Sequence, residues 1–196
     1  METLKKQLFE ECSYRMRDET MEEFVALMSE EIELKEYEPL IPYGRFDNNV
    51  YVLKSGIMRS VYFDGPKEKT FAFALPGTVM ISYYSFYMRE PSFSQFEACC
   101  DSVVMKVPRA KFVELSERSH DFAQWMMWMS LGQLWFGEKK RTTVSGDAME
   151  RFRILLKIIP DIMDKVSMKT VASYIGITPQ YLSKLKRQYL RAGSNG

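Results

Sequence analysis

Residues 167–190 read SMKTVASYIGITPQYLSKLKRQYL and contain two short apolar-periodic runs separated by Gly-Ile-Thr-Pro. The spacing predicts two helices, with Gly176 ending the first in a left-handed conformation. Thr178 can cap the second helix and Pro179 suits its first turn. Ala172 lies where the helices would cross, and its small side chain lets them approach closely. The apolar residues predicted to form their shared core are Val171, Ala172, Ile175, Ile177, Leu182 and Leu185. The stretch therefore predicts a helix-turn-helix.

The second helix of this pair is predicted to carry a polar, positive outer face. With its leucines turned inward, helical geometry turns the remaining side chains outward. A helix of this kind fits the major groove of DNA, where Gln can pair with adenine and Lys or Arg with guanine or phosphate. The alternative is an ordinary helical hairpin with a solvated basic face. The candidate DNA-binding residues are Lys169, Thr178, Gln180, Tyr181, Ser183, Lys184 and Arg187.

Charge is unevenly distributed along the 196 residues, although the formal net charge is only +1. Residues 149–196 hold nine Lys or Arg against three Asp or Glu, and residues 1–148 carry a net charge of −5. A basic tail behind a mildly acidic body indicates that the tail, and not the body, meets a polyanion.

The chain before this tail begins with two regions that differ in residue pattern. Residues 2–30 lack Gly and Pro and predict one or two amphipathic helices. Residues 32–107 contain short runs rich in Val, Tyr, Phe and Ile, such as NNVYVLKSG, IMRSVYFDG and KTFAFALPG, each closed by Gly. Such runs predict an antiparallel sandwich or barrel. The predicted fold class is α+β, with an antiparallel β-roll followed by helices.

Helical periodicity returns after Pro108, which suits a first helical position in RAKFVELSERS. A longer helix is predicted over residues 120–141, where heptad spacing favours packing against the body, contact with a second copy, or both. Its apolar run FAQWMMWMSLGQLWF is too short and too interrupted by polar residues to span a membrane. The candidate dimer residues are Phe122, Met126, Met129, Gln133 and Phe136.

The segment RTTVSGDA, residues 141–148, breaks the helical pattern and predicts a hinge. The following segment MERFRILLKIIPDIMDKV predicts a helix that ends before Pro160, and the final RAGSNG predicts a frayed end. The predicted domains are a sensor of helices and β-roll at 1–118, a central helix with the hinge at 119–146, and a helix-turn-helix domain at 147–192.

This order of parts resembles the Crp/Fnr family of bacterial transcription regulators over about residues 20–190. The positions of the glycines are also similar to those of the family in PYGRF, YVLKSGIMRSVYFDG and LPGTVM. The resemblance implies that Gly44, Gly56, Gly65 and Gly77 lie at turns of a cyclic-nucleotide-binding-type β-roll. The tail YIGITPQYLSKLKR resembles shorter members from Bacteroidetes-type bacteria. The resemblance implies a homodimer joined along the central helix, a near-palindromic double-stranded DNA site, and RNA polymerase as a further candidate partner.

The resemblance fails where family members bind cyclic AMP. In PGTVMISYYSFYMREPSFSQFEA, Thr78 replaces the family's Asp, Ser82 falls near its Glu, and residues 92–94 offer no Arg to meet the phosphate. Because a buried phosphate needs a compensating cation, cyclic AMP is not the expected effector. The stretch instead predicts a pocket for another small molecule, or an aromatic core without a ligand. The candidate pocket residues are Ser82, Tyr83, Tyr84, Arg89, Ser94 and Gln95.

The sequence contains few residues that could bind a metal or a metal-containing cofactor. Cys12, Cys99 and Cys100 cannot hold an iron–sulfur cluster in one chain, and their number fits a reducing cytoplasm. His120 is the sole histidine and sits at a predicted helix start, where a surface or capping role is commoner than ligation. No phosphate-binding loop, Gly-x-Ser-x-Gly elbow or His-Glu-x-x-His motif is present. The sequence predicts no cofactor, no metal and no enzyme.

Two functions of different classes follow from these observations. The first is a homodimeric, sequence-specific DNA-binding transcription regulator in the cytoplasm. The second is a small-molecule-binding β-roll protein whose basic helical tail contacts a protein partner instead of DNA.

Overall fold

The computed structural model describes residues 1–10, 12–143 and 147–193. The N-terminal part contains two helices, a β-roll of eight strands and a π-helical turn at Tyr84–Met88. The helices before and after the roll are α1 Glu2–Glu10, α2 Asp18–Ala26, α3 Arg109–Arg118, α4 His120–Thr143, α5 Ala148–Ile158, α6 Ile162–Lys165, α7 Met168–Ile175 and α8 Pro179–Gly193. The strands are β1 Glu30–Leu34, β2 Pro39–Ile41, β3 Val50–Ser55, β4 Met58–Asp64, β5 Lys67–Ala74, β6 Val79–Ile81, β7 Gln95–Ala98 and β8 Ser102–Val107.

The strands form two four-stranded antiparallel sheets, which confirms the predicted α+β class and antiparallel roll. One sheet has the order β1-β8-β3-β6 and the other the order β2-β7-β4-β5. Alternating apolar residues of both sheets meet in a shared core. Its most buried members are Ile41, Leu53, Met58, Ala98 and Val104, each 0% exposed. The sandwich is therefore held by apolar burial between its two sheets.

A second core joins the N-terminal helices to the start of α4. Phe24 of α2 lies at its centre, with ring centroids 5.1 Å from Phe122 and 5.4 Å from Trp125. Asp121 of α4 binds the segment between α1 and α2, because its carboxylate accepts hydrogen bonds from Tyr14 Oη at 2.7 Å and from the Arg17 N–H at 2.9 Å. The prediction of one or two amphipathic N-terminal helices is thus confirmed, and the structure has two.

Gly77 shows how closely α1 approaches the roll. Its φ of +98° is left-handed, and a Cβ atom at this position would lie 2.7 Å from the backbone carbon of Gln7. A larger residue would therefore be strained and would also collide with α1. Glycine is therefore required at this predicted turn for two reasons, the left-handed φ and the close approach of α1.

The third core belongs to α5–α8 and continues into the roll. Phe152, Ile162, Val171, Ala172 and Leu182 are all fully buried in it. Ile57 and Cys99 of the roll are also members, so the C-terminal helices pack directly on the sheet that contains β4, β5 and β7. Burial in this apolar contact raises the pKa of the Cys99 thiol to about 12.

Helix ends differ from the predictions at three places. Pro108 precedes α3 instead of opening it, because its ψ of 133° is extended and the helix begins at Arg109. Helix α8 includes residues 191–193, which were predicted to fray, and residues 194–196 lie outside the described part. The hinge was predicted over residues 141–148, but α4 continues to Thr143 and α5 begins at Ala148. Residues 144–146 lie outside the described part, so residue 147 is the only described hinge residue that is not in a helix. As predicted, α5 ends before Pro160.

Candidate nucleic-acid interface and ligand cavity

The turn between α7 and α8 has the conformation that its residues predict. Gly176 has a φ of +79°, and the Ile177 N–H donates to the carbonyl of Ala172 at 3.0 Å. The Gly176 N–H also donates to the carbonyl of Ser173 at 3.3 Å, which completes a Schellman pattern at the end of α7. Thr178 Oγ1 then accepts the Tyr181 N–H at 3.2 Å and caps α8.

The predicted core of the helix pair is confirmed. Val171, Ala172 and Leu182 are fully buried, and Ile175 and Leu185 are nearly so. Ile177 is partly buried and packs against the same cluster. Because these residues turn inward, the opposite side of α8 is left to solvent.

The outer face of α8 is exposed and basic, as predicted. Six of the seven candidate DNA-binding residues are exposed, and Ser183 is half-buried, with its carbonyl accepting from Arg187 Nε at 3.3 Å. Among the described residues, Lys169, Lys184 and Arg187 form no ion pair within the chain, so their charges are not already neutralised. The exposed residues are Lys169, Thr178, Gln180, Tyr181, Lys184 and Arg187.

Sequence reasoning missed two further capping residues in this part of the chain. Ser167 caps α7 by accepting the Thr170 N–H at 3.3 Å, and Asp147 caps α5 by accepting the Met149 N–H at 3.4 Å. Both lie immediately before a helix, which is the position where Ser and Asp are favoured. That signal was present in the sequence and would have defined both starts.

A cavity of about 670 Å³ lies between strands β4–β6 and α4. Four of the six candidate pocket residues line it, namely Ser82, Tyr83, Tyr84 and Ser94. The other two do not: Arg89 is exposed in a left-handed conformation after the π-helical turn, and Gln95 donates from Nε2 to Glu97. The structure therefore separates Arg89 and Gln95 from the remaining candidates.

The cavity wall is aromatic and uncharged. None of the described residues that line it is an Asp, Glu, Lys or Arg. Ser82 is 2% exposed, and its Oγ is hydrogen-bonded to Ser85 Oγ at 3.2 Å, so it stabilises the π-helical turn. A cyclic phosphate would find no cation in this wall, in agreement with the sequence argument against cyclic AMP.

Helix α4 divides its apolar residues between the chain's own core and solvent. Phe122 is fully buried beside Phe24, which is the packing against the body that the heptad spacing also predicted, so this candidate dimer residue offers no surface to a second copy. Met126 and Met129 are partly buried against the same core, Phe136 is half-buried near Phe71, and Gln133 is exposed. The exposed apolar residues lie on the other side of the helix: Met127, Trp128, Leu131, Leu134 and Trp135.

The described residues contain no group of three or more His, Cys, Asp or Glu that could hold a metal ion. Within those same residues, no helix is long and apolar enough to cross a membrane.

An eight-stranded roll, a long central helix and a terminal helix-turn-helix together define a Crp/Fnr-like regulator fold, and solved structures bear this out. FixK2 from Bradyrhizobium japonicum is 23% identical, with a TM-score of 0.71 over 84% of this chain and 85% of that one. CLP from Xanthomonas campestris, a c-di-GMP responsive global regulator, is 13% identical, with a TM-score of 0.67 over 90% and 93% of the two chains.

A CRP-family transcriptional regulator from Thermus thermophilus is 16% identical, with a TM-score of 0.65 over 83% of this chain and 85% of its own. No protein-family model and no curated protein match the sequence. Two of these three neighbours are described as regulators, and at these identities the likeness establishes the fold.

Proposed function

We propose that this protein is a homodimeric, sequence-specific DNA-binding transcription regulator of the Crp/Fnr type that acts in the cytoplasm. The observation that carries the proposal is the exposed, unpaired basic face of α8, presented by a tightly capped helix-turn-helix. The fold supports it, because the structural neighbours include a global regulator and a transcriptional regulator. The proposal assigns no catalytic role to the chain.

The residues of the outer face would divide between reading bases and holding phosphates. Gln180 and Lys184 lie near the N-terminus of α8. In a recognition helix, the N-terminal residues are the ones that contact base edges. Arg187 lies one turn further along and can reach either a guanine or a phosphate. Lys169, in the first turn of α7, would contact the backbone, which adds affinity without sequence information.

The effector that we propose is an uncharged, largely apolar small molecule held in the 670 Å³ cavity. Its aromatic wall provides surface for stacking, and Tyr83 and Tyr84 provide hydroxyl groups for orientation. An anionic nucleotide is not expected there because the lining residues carry no positive charge.

The function is tested by a gel shift against the upstream region of the protein's own gene across a range of salt concentrations. Steeply salt-dependent retardation that survives nonspecific competitor supports the proposal. Absence of retardation at low salt contradicts it and favours a tail that contacts a protein partner.

Matched variants then test how the face reads DNA. Gln180→Ala should relax the preference for one DNA sequence and cost about 1–3 kcal/mol of discrimination between bases. Lys169→Ala should instead weaken binding to all DNA sequences alike and reduce the slope of log affinity against log salt concentration by about one. Gln188→Ala, another exposed glutamine of α8, is the control and should change neither. Equal losses on every sequence for Gln180→Ala would disprove the assignment of this residue to base recognition.

A further inference from the structure

Strand β5 is an edge of its sheet, which has the order β2-β7-β4-β5. One side of an edge strand has backbone N–H and C=O groups without a neighbouring strand, and such groups must find other partners. At Thr70 they find them in two helices that lie outside the roll.

The first helix is α7, the helix that precedes the turn to α8. Ser173 Oγ accepts the Thr70 N–H at 3.0 Å and donates to the carbonyl of Glu68 at 3.4 Å. The Ser173 hydroxyl thus satisfies two backbone groups of β5 that a neighbouring strand would otherwise satisfy. The neighbouring Tyr174 packs on Phe73 of β5, with ring centroids 4.8 Å apart, so the helix is held by both polar and aromatic contacts.

The second helix is α4. Lys140 Nζ donates to the carbonyl of Thr70 at 3.5 Å and lies 4.2 Å from the centre of the Tyr174 ring and 4.7 Å from that of Phe71. Burial lowers the pKa of Lys140 to about 8, and both ring distances are within the range of a cation–π interaction. Both backbone polar groups of Thr70 are therefore occupied, one by α7 and the other by α4.

The side chain of Thr70 is also held in place. Its Oγ1 accepts from Arg59 Nη1 at 3.0 Å, and Arg59 forms a buried ion pair with Glu97 of the adjacent strand β7. Because these groups are buried and paired, the edge at Thr70 is a rigid point of the roll. It can fix the direction of a helix that is hydrogen-bonded to it.

The same strand faces the ligand cavity. Residues Phe71, Ala72, Phe73 and Ala74 of β5 all belong to the cavity wall. Thr70 is one residue from this segment, so the backbone of a single strand connects the cavity wall to the contact with Ser173.

We propose that the edge of β5 at Thr70 positions the recognition helix, with Ser173 and Lys140 as the positioning residues, and that this edge links the cavity to α8. This inference rests on the proposed function for its consequence in DNA binding, but the contact itself does not. In a dimer, the direction of α8 relative to the roll determines the spacing between two recognition helices, and hence the half-site spacing of the preferred DNA.

Ser173→Ala is the principal variant, because it removes the bridging hydroxyl while alanine favours the α7 helix. Ser116→Ala is the matched control, since the Ser116 hydroxyl bonds a carbonyl within its own helix. Lys140→Met removes the second contact, with Lys111→Met on the exposed side of α3 as its control.

Backbone hydrogen exchange tests the contact without DNA. We expect exchange at Thr70 to accelerate about five- to tenfold in Ser173→Ala, as for the loss of one hydrogen bond, and not in either control. Unchanged exchange at Thr70 in Ser173→Ala would overturn the proposal.

Selection from DNA libraries with varied half-site spacing tests the consequence. We expect Ser173→Ala and Lys140→Met to lose the wild-type spacing preference by about fivefold or more, whereas general destabilisation would lower affinity at all spacings alike. An unaltered preference in both variants would overturn the positioning role. If the wild type selects no DNA, the proposed function fails, and the exchange at Thr70 still decides whether β5 holds α7.

Discussion

Arg59 is a buried charged residue that has three side-chain partners. Its side chain is 7% exposed, pairs with Glu97 on one side and with Glu68 on the other, and also donates to Thr70. The two carboxylates differ in environment, since the Glu97 side chain is 7% exposed and that of Glu68 is 42% exposed. Breaking a buried pair leaves an uncompensated charge, whereas water replaces an exposed partner at little cost.

The first prediction compares these two glutamates. Glu97→Gln should lower the free energy of unfolding by about 3 kcal/mol, because Arg59 would remain buried without its principal counter-charge. Glu68→Gln, on the same arginine, should cost less than about 1 kcal/mol. Urea denaturation at pH 7 measures both, and equal losses would contradict the distinction.

Among the elements, the α7–α8 pair is determined by local chemistry. Ser167, Gly176 and Thr178 each satisfy backbone groups within a few residues of themselves. Helix α4 behaves differently, since its first turns are buried and its later turns expose large apolar side chains. Short-range capping therefore defines where the helices of the tail begin and end, and packing defines which faces of α4 are covered.

The second prediction concerns Gly176. Gly176→Ala should destabilise the C-terminal helices by about 1–2 kcal/mol, because a Cβ atom disfavours the φ of +79° there. Gly137→Ala is the matched control, since this glycine lies within α4 and an added Cβ atom would point into open space. There alanine should stabilise the protein by up to about 1 kcal/mol. Thermal unfolding monitored by circular dichroism measures both, and the same sign for the two variants would refute this explanation.

At the scale of the whole molecule, the exposed side of α4 is an apolar surface that the chain's own core leaves uncovered. Leu134 is 67% exposed and Trp135 is 60% exposed, while Met127, Trp128 and Leu131 are each more than two-fifths exposed. Large exposed apolar patches mark interaction sites. A second copy of the same helix is the partner that the proposed homodimer requires.

The third prediction tests that interface. Leu134→Asp should convert a dimer into a monomer, because a charge would be buried opposite its own copy in the partner. Phe46→Asp, at a comparably exposed aromatic residue, should leave the molar mass unchanged. Sedimentation equilibrium measures both, and a monomeric wild type would exclude the proposed dimer.

The sequence by itself determined the features that depend on neighbours a few residues apart. Gly176, Thr178 and Pro179 defined the turn, and the glycine-closed runs between residues 32 and 107 defined the antiparallel roll. The outward face of α8 followed from the inward turn of Leu182 and Leu185. These predictions succeeded because capping and helical periodicity act over short separations.

Only the tertiary structure decided the contacts between residues distant in the chain. It buried Phe122 in the chain's own core, removed Arg89 and Gln95 from the cavity, and joined Ser173 to Thr70. No local pattern marks such pairs, because about a hundred residues separate Ser173 from Thr70 and their meeting depends on how α7 packs on β5. The α7–α8 helix pair was visible in the sequence, but the contacts that hold α7 against the roll depend on packing across the whole chain.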